Sequence, residues 1–375
     1  MSGDRGRLRE RPTSGAPDAP TTRSGRSPAQ SWAAIRLVAG LELRQRIRTS
    51  RWYLVLAVWV IAVYGVVLLG WFATSESTSD ERGVVLYSMT TFVVLGFGLL
   101  VVPALTATSI NGDRDRGVLA TLQVTQLGPA ELVLGKLLAA WALAGLFLLV
   151  AAPVYVFTLV TGAVGPLRAL GALLVLAVCL AVFCAVGLAC SAWTARTVSS
   201  VVLTYLAVAG LGLVTVILFG LLLPRTAVET DRQVWTMTDD QGQRCVLQTQ
   251  RREDLHTERV WWLLAPNPFV VVADAAPALP ANENQTAFDP LQAISTGVRL
   301  ARIGPAEGAL DECWSELPVL REGEAVEDAT RVAQAGPVWP LGLGALVLLG
   351  VGSTAVAIRR TRTPVHRLPR DVRIA

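Results

Sequence analysis

Six stretches of the chain carry no Asp, Glu, Lys, Arg or His: Trp52–Phe72, Val84–Ile110, Leu137–Val160, Ala169–Ala192, Val201–Leu223 and Val338–Ile358. Each reaches about the 20 residues that a helix needs to cross roughly 30 Å of hydrocarbon. A buried core helix of a soluble protein is seldom this long and this uncharged six times over. The pattern therefore predicts an all-α polytopic membrane protein with six transmembrane helices. Residues 1–30 are charged and rich in Pro and Gly, with no apolar stretch of a signal peptide. They read as a disordered tail. Residues 31–51 mix Trp32, Ile35, Leu37, Leu41, Leu43 and Ile47 with arginines, which predicts an interfacial helix before the first span. Its periodicity is noisy, because Arg36 and Arg46 fall beside Trp32 and Leu43 on a helical wheel; arginine stems can snorkel to the headgroups.

Charge then orients the spans. Arg36, Arg44, Arg46, Arg48 and Arg51 precede the first span, and Arg359, Arg360, Arg362, Arg367, Arg370 and Arg373 follow the last. By the positive-inside rule both termini are cytoplasmic, as an even number of spans requires. The expected layout has the first five spans within 52–224, with a cytoplasmic coupling segment at 111–128. A net acidic extracellular segment follows at 225–337, then the sixth span at 338–358 and a basic cytoplasmic tail at 359–375. Trp52, Trp71, Trp193 and Trp339 mark span edges, where an amphipathic ring favours the headgroup layer. The run Val260–Ala275 is apolar enough to lie at the outer membrane face, but Pro266 and Pro268 argue against a seventh straight span. Pro103 and Pro153 lie inside spans and suit helices that bend.

Composition agrees with the pattern: 52% of residues are hydrophobic and 17% charged, against about 25% charged in soluble domains. It also narrows the chemistry. Ion-coupled transporters place ionisable groups inside their spans, and the six runs hold none. A phosphate-binding loop needs GxxxxGK[ST]; the chain's single lysine, Lys136, is followed by Leu137 and lacks the upstream glycine. The sequence thus offers no catalytic residue, no metal site and no cofactor of its own. Cys179, Cys184 and Cys190 read as small buried hydrophobes of the fourth span. Cys245 and Cys313 are the two cysteines of the extracellular segment, where oxidation is permitted, and are expected to form a disulfide.

The most informative stretch joins the second and third spans: SINGDRDRGVLATLQVTQLGPAELVLGKLLAA, Ser109–Ala140. It opens with a mixed-charge turn, Asp113, Arg114, Asp115 and Arg116. After Gly117 comes a short helix-like run with Val118, Leu119, Leu122 and Val124 apolar. Gly128 breaks it, Pro129 suits the first turn of a helix, and Glu131 suits the positive end of that helix's dipole. A partner pushing on a short element held between two spans would move both.

This string resembles the region between the second and third spans of type-2 permeases of ATP-binding-cassette exporters. Asp115, Arg116, Gly117, Leu119, Leu122, Thr125, Leu127, Glu131, Leu134, Gly135 and Lys136 carry the likeness, with departures at Gln126 and Gly128. LELRQRIRTSRW before the first span is similar to the family's arginine-rich lead-in, and LLAPNPFVVVADA, Leu263–Ala275, resembles an Asn-Pro-Phe segment of some members. The resemblance implies a half-transporter for export. Its partners would be a separate ABC ATPase subunit, which binds ATP and Mg, a second permease (identical or a sister chain) and the lipid bilayer of the cell membrane, with no nucleic acid. Asp113, Arg114, Asp115, Arg116, Gly117, Leu119, Leu122 and Thr125 would couple to the ATPase. Two rival readings are a membrane scaffold or immunity protein that moves nothing, and an outer-face membrane enzyme using Asp239, Asp240, Glu253 or Asp254.

Overall fold

A computed structural model describes residues 27–75, 77–116, 127–237, 245–276, 289–306, 308–311 and 330–362. Helix α1 (Pro28–Ile47) is followed by α2 (Ser50–Ala73), α3 (Ser79–Thr106) and the one-turn α4 (Asn111–Asp115). Two long helices come next, α5 (Pro129–Val160) and α6 (Pro166–Trp193). Then α7 (Thr197–Ala209), a π-turn (Gly210–Val214) and α8 (Thr215–Leu222) run as one apolar rod. The last described helix is α11 (Trp339–Thr361). Six of these rods are long and apolar enough to cross a membrane, so the chain is a multi-pass membrane protein. They are α2, α3 with α4, α5, α6, α7–α8 and α11, called spans one to six below.

The helix starts follow ordinary end chemistry. The first four N–H groups of a helix lack partners in the ladder. Ser27 and Thr78 supply capping boxes for α1 and α3, and Glu131 Oε2 accepts from Gly128 N at 2.8 Å. Proline opens α5, α6 and α11, where its missing N–H costs nothing. Pro103 and Pro153 both lie inside continuous helices.

Span four is the axis of the bundle. Leu176, Cys179, Leu180, Phe183 and Cys184 are buried on it. Small residues admit its neighbours closely: a Cβ on Gly187 would collide with Thr106 Oγ1 of span two. Trp59 of span one reaches across to span three, its Nε1 donating to Phe147 O at 3.2 Å. Spans one and five are peripheral; the most apolar window of span five has no buried residue.

Chain direction defines two ends. The base holds α1, α4, the start of span three and the ends of spans four and six. The crown holds the segment between spans five and six. That segment brings the strands, which an all-helical pattern did not include. β1 (Ala227–Met237) and β2 (Cys245–Leu255) form an antiparallel hairpin, and β3 (Leu310–Asp311) joins β1 in parallel. Arg232 Nε meets Asp254 Oδ2 at 2.7 Å across the hairpin. Cys245 stands opposite Met237; its expected partner Cys313 lies outside the described residues, as do Asp239 and Asp240.

Below the hairpin the chain turns inward. Residues 257–263 make two short 3₁₀ turns, then α9 (Pro268–Ala275) and α10 (Pro290–Ile303) follow. Val271, Val272 and Ala273 of α9 are fully buried in the main core of the bundle. The Leu264–Ala275 part of the run therefore packs within the crown of the bundle, while Trp262 is exposed. Gly342 of span six makes room for it, since a Cβ there would collide with Ala265 O.

Candidate functional site

Span three has 32 residues, about 48 Å at 1.5 Å each, against roughly 30 Å of hydrocarbon. It is therefore longer than a straight crossing needs, and Lys136 lies in its second turn, at the base. This is where Lys136 can be both charged and buried. The uncharged run of the third span starts at Leu137; the helix itself begins at Pro129 and carries Glu131 and Lys136 into the packed region, both buried.

Lys136 is the centre of an ion cluster. Its ammonium bonds Glu42 of α1 and Asp113 Oδ2 of α4 at 2.6 Å, and lies 3.4 Å from Ser109 O. Arg46, one turn after Glu42, pairs with it at 3.4 Å and donates to Leu105 O at 2.6 Å and Ser109 Oγ at 3.4 Å. Arg116 closes the set, 3.2 Å from Asp113 Oδ1. Carbonyls at a helix C-terminus lack ladder partners. Arg46 and Lys136 supply partners at the end of span two, so the cluster ties α1 and span three to that end. The arrangement is three cations against two carboxylates, with every charge paired as burial demands.

α1 reaches the cluster because Gly135 leaves space. A Cβ there would lie 2.6 Å from Val38 Cβ and 3.0 Å from Ile35 O. Val38 and Ala39 are buried in consequence. The noisy periodicity of α1 now has a cause: its inward face carries Val38 and Ala39 together with the half-buried ions Glu42 and Arg46.

α4 is wired to the other spans at the base. Ser191 of span four accepts from the N–H groups of Ile110 and Asn111 at 3.0 and 3.1 Å. Asn111 Nδ2 donates to Thr194 Oγ1 at 3.1 Å. Arg114 reaches Ala192 O at 3.5 Å and Arg360 O, at the end of span six, at 3.4 Å. Of the expected coupling residues, Asp113 and Arg114 thus anchor α4, while Asp115 and Arg116 are exposed. Gly117, Leu119, Leu122 and Thr125 lie outside the described residues. A cleft of about 410 Å³ opens beside the cluster, lined by Glu42, Gln45, Arg46, Thr108, Asp113 and Arg116 among others.

A second polar knot sits at the crown. Asp274 of α9 accepts from Ser295 Oγ at 2.9 Å, Arg299 Nε at 2.6 Å, Val338 N at 2.6 Å and Trp339 N at 2.8 Å. It caps span six from outside that helix. Asn267 Oδ1 caps α9 through Phe269 N at 2.9 Å, and its Nδ2 donates to Gly212 O and Thr215 Oγ1 of span five, each at 2.9 Å. Among the described residues, no three His, Cys, Asp or Glu side chains group to hold a metal.

Sequence reasoning missed Glu42, Ser191, Asn267 and Asp274 as structural pins, and read Lys136 only through a motif. Two signals were present: the chain has one lysine, and it follows the glycine that lets α1 approach. Asn267 had a signal too, between Pro266 and Pro268 in an otherwise apolar run.

No curated protein matches the chain. A family model described as ABC-2 family transporter protein matches residues 36–258, more than half of it. The matched stretch takes in most of α1, both partners of Lys136, the first five spans and the hairpin. The chain belongs to the ABC-2 transporter family, as a membrane permease of the ABC-transporter type.

Proposed function

We propose that this permease forms the translocation path of an ATP-driven exporter and takes its energy from a separate ATPase chain docked at α4. One observation carries the reading: at the end of span two Asp115 and Arg116 are exposed, while Asn111, Asp113 and Arg114 bond to spans three, four and six. A load applied at the exposed tip is shared by four membrane helices at once. Such wiring suits a lever, and a passive scaffold has no use for it.

The ATPase brings ATP and Mg. Lys136 supports that division, since its ammonium is committed to two carboxylates and is not free to hold a phosphate. The base is the cytoplasmic side on the arginine count, with residues 1–30 and 359–375 there and 225–337 outside the cell membrane. Spans one and five leave apolar faces open to a second permease, a sister chain or another copy, and to lipid.

The test is phosphate release in lipid nanodiscs. The pure permease should hydrolyse no ATP, and the same permease assembled with a co-expressed ABC ATPase chain should form a complex with Mg-dependent turnover. Turnover by the pure permease would overturn the division of labour. Failure to assemble with any ABC ATPase would favour the scaffold or immunity reading.

A further inference from the structure

The crown contains an unusual backbone feature and a side chain fitted to it. Span five is interrupted by the π-turn at Gly210–Val214. A π-turn inserts one residue into the ladder and shifts its carbonyls away from their usual i+4 donors; such bulges recur at functional sites. Here Thr215 N bonds Gly210 O, five residues back. Thr215 Oγ1 donates to Leu211 O at 2.8 Å. Into this widened turn the Asn267 amide donates twice, to Gly212 O and to Thr215 Oγ1. Asn267 is 1% exposed, so a water could not readily take over either bond.

The next residue but one completes the seat. The Phe269 ring lies 5.2 Å from the Phe92 ring of span two. It also faces the Cα of Gly96 and of Gly212, where an added Cβ would lie 3.9 and 3.5 Å from it. Asn267, Pro268 and Phe269 thus bridge span five to span two, while Asp274 at the other end of α9 holds span six. One short helix fastens three spans at the crown.

We infer that Asn267 is a positioning residue of the transport cycle: its amide pins α9 to the π-turn of span five and so keeps the crown end of the path closed. Opening requires that pair of bonds to break, and conversion of the π-turn to regular α-helix does this. A regular α-helix turns each residue by about 100°, more than the wider π-turn does, so Gly212 and Thr215 rotate relative to one another and no longer face the amide together. The inference rests on the exporter reading only in calling this end the exit; the pin itself is a property of the chain.

Asn267→Asp separates the pin from the cap. Aspartate still accepts from Phe269 N, as a helix cap should, but its carboxylate has no N–H for Gly212 O. In nanodiscs, hydrogen exchange of the Val271–Ala273 amides should accelerate about tenfold, the scale of one or two lost buried hydrogen bonds. Exchange around Lys136 at the base should not change. Thr215→Val, a milder change removing one acceptor, should accelerate the same amides by a smaller factor. Wild-type exchange in both variants would overturn the pin.

The closing role is tested in the complex. With the five native cysteines replaced by serine, Asn267→Cys and Thr215→Cys should be oxidised to a disulfide that locks α9 to span five. Oxidation should stop ATP-driven turnover by the permease–ATPase complex, and reductant should restore it. Undiminished turnover in the locked state would overturn the closing role. If the exchange results hold but no ATPase assembles, the exporter reading fails and the pin stands.

Discussion

Replacing Lys136 by methionine should destabilise the base of the bundle by about 3–5 kcal/mol, the usual cost of removing one partner from a buried ion pair. Methionine keeps the unbranched shape of the stem and removes only the charge. Glu42 and Asp113 would then face each other across the vacated position, each left with a single arginine, Arg46 at 3.4 Å and Arg116 at 3.2 Å. Arg116 is largely exposed, and an exposed pair is worth under about 1 kcal/mol, so Asp113 gains little from it. Unfolding of the chain by SDS titration in mixed micelles measures the loss. Adding Glu42→Gln and Asp113→Asn to Lys136→Met removes the stranded anions, and the triple variant should be more stable than the single one. A single variant costing less than about 1 kcal/mol, or a triple variant that is the sum of its parts, contradicts the cluster's role.

A comparable loss is expected at the crown from Asp274→Ala. The carboxylate has no exposed surface and accepts four hydrogen bonds. Alanine strands the Arg299 guanidinium and leaves the first N–H groups of span six without acceptors in an apolar setting, where each orphan costs about 1–3 kcal/mol. The Asp274→Asn side chain has nearly the native shape but turns an NH2 group toward donors and offers no charge to Arg299. This variant should lose nearly as much stability as the alanine one does. Hydrogen exchange at the start of span six should rise in both variants. An Asp274→Asn protein with native stability and exchange would show that shape alone holds the site.

The six spans were legible because the bilayer imposes a one-dimensional rule. A run of about twenty uncharged residues cannot be disguised, and Pro129, Pro166 and Pro340 mark helix starts by local chemistry alone. What the sequence concealed depends on distance along the chain. Glu42 and Lys136 are 94 positions apart, and neither periodicity nor composition pairs them. The same pairing blurred the pattern of α1, whose inward face holds ions as well as Val38 and Ala39. The hairpin was illegible for a different reason: most β2 side chains are exposed on both faces, so no apolar alternation was required of it. The depth of α9 was hidden because Pro266 and Pro268 break the helical signal, although the residues after them are buried like those of a span. In the candidate site, Asp113 to Arg116 were picked out by charge and by resemblance, but their division into two anchors and an exposed tip emerges only from the packing of α4 against Ser191, Lys136 and Arg360.

The central claim is that force enters at α4, and contact at its exposed tip tests that most directly. A photo-crosslinking amino acid placed at Asp115 in the permease, co-expressed with an ABC ATPase chain, reports what lies against the tip. The same probe placed at Trp235 and at Leu247 on the crown hairpin serves as the opposite-side comparison. The account predicts a covalent permease–ATPase adduct from position 115 and none from 235 or 247. An adduct from the hairpin positions with none from 115 would contradict both the docking site and the orientation.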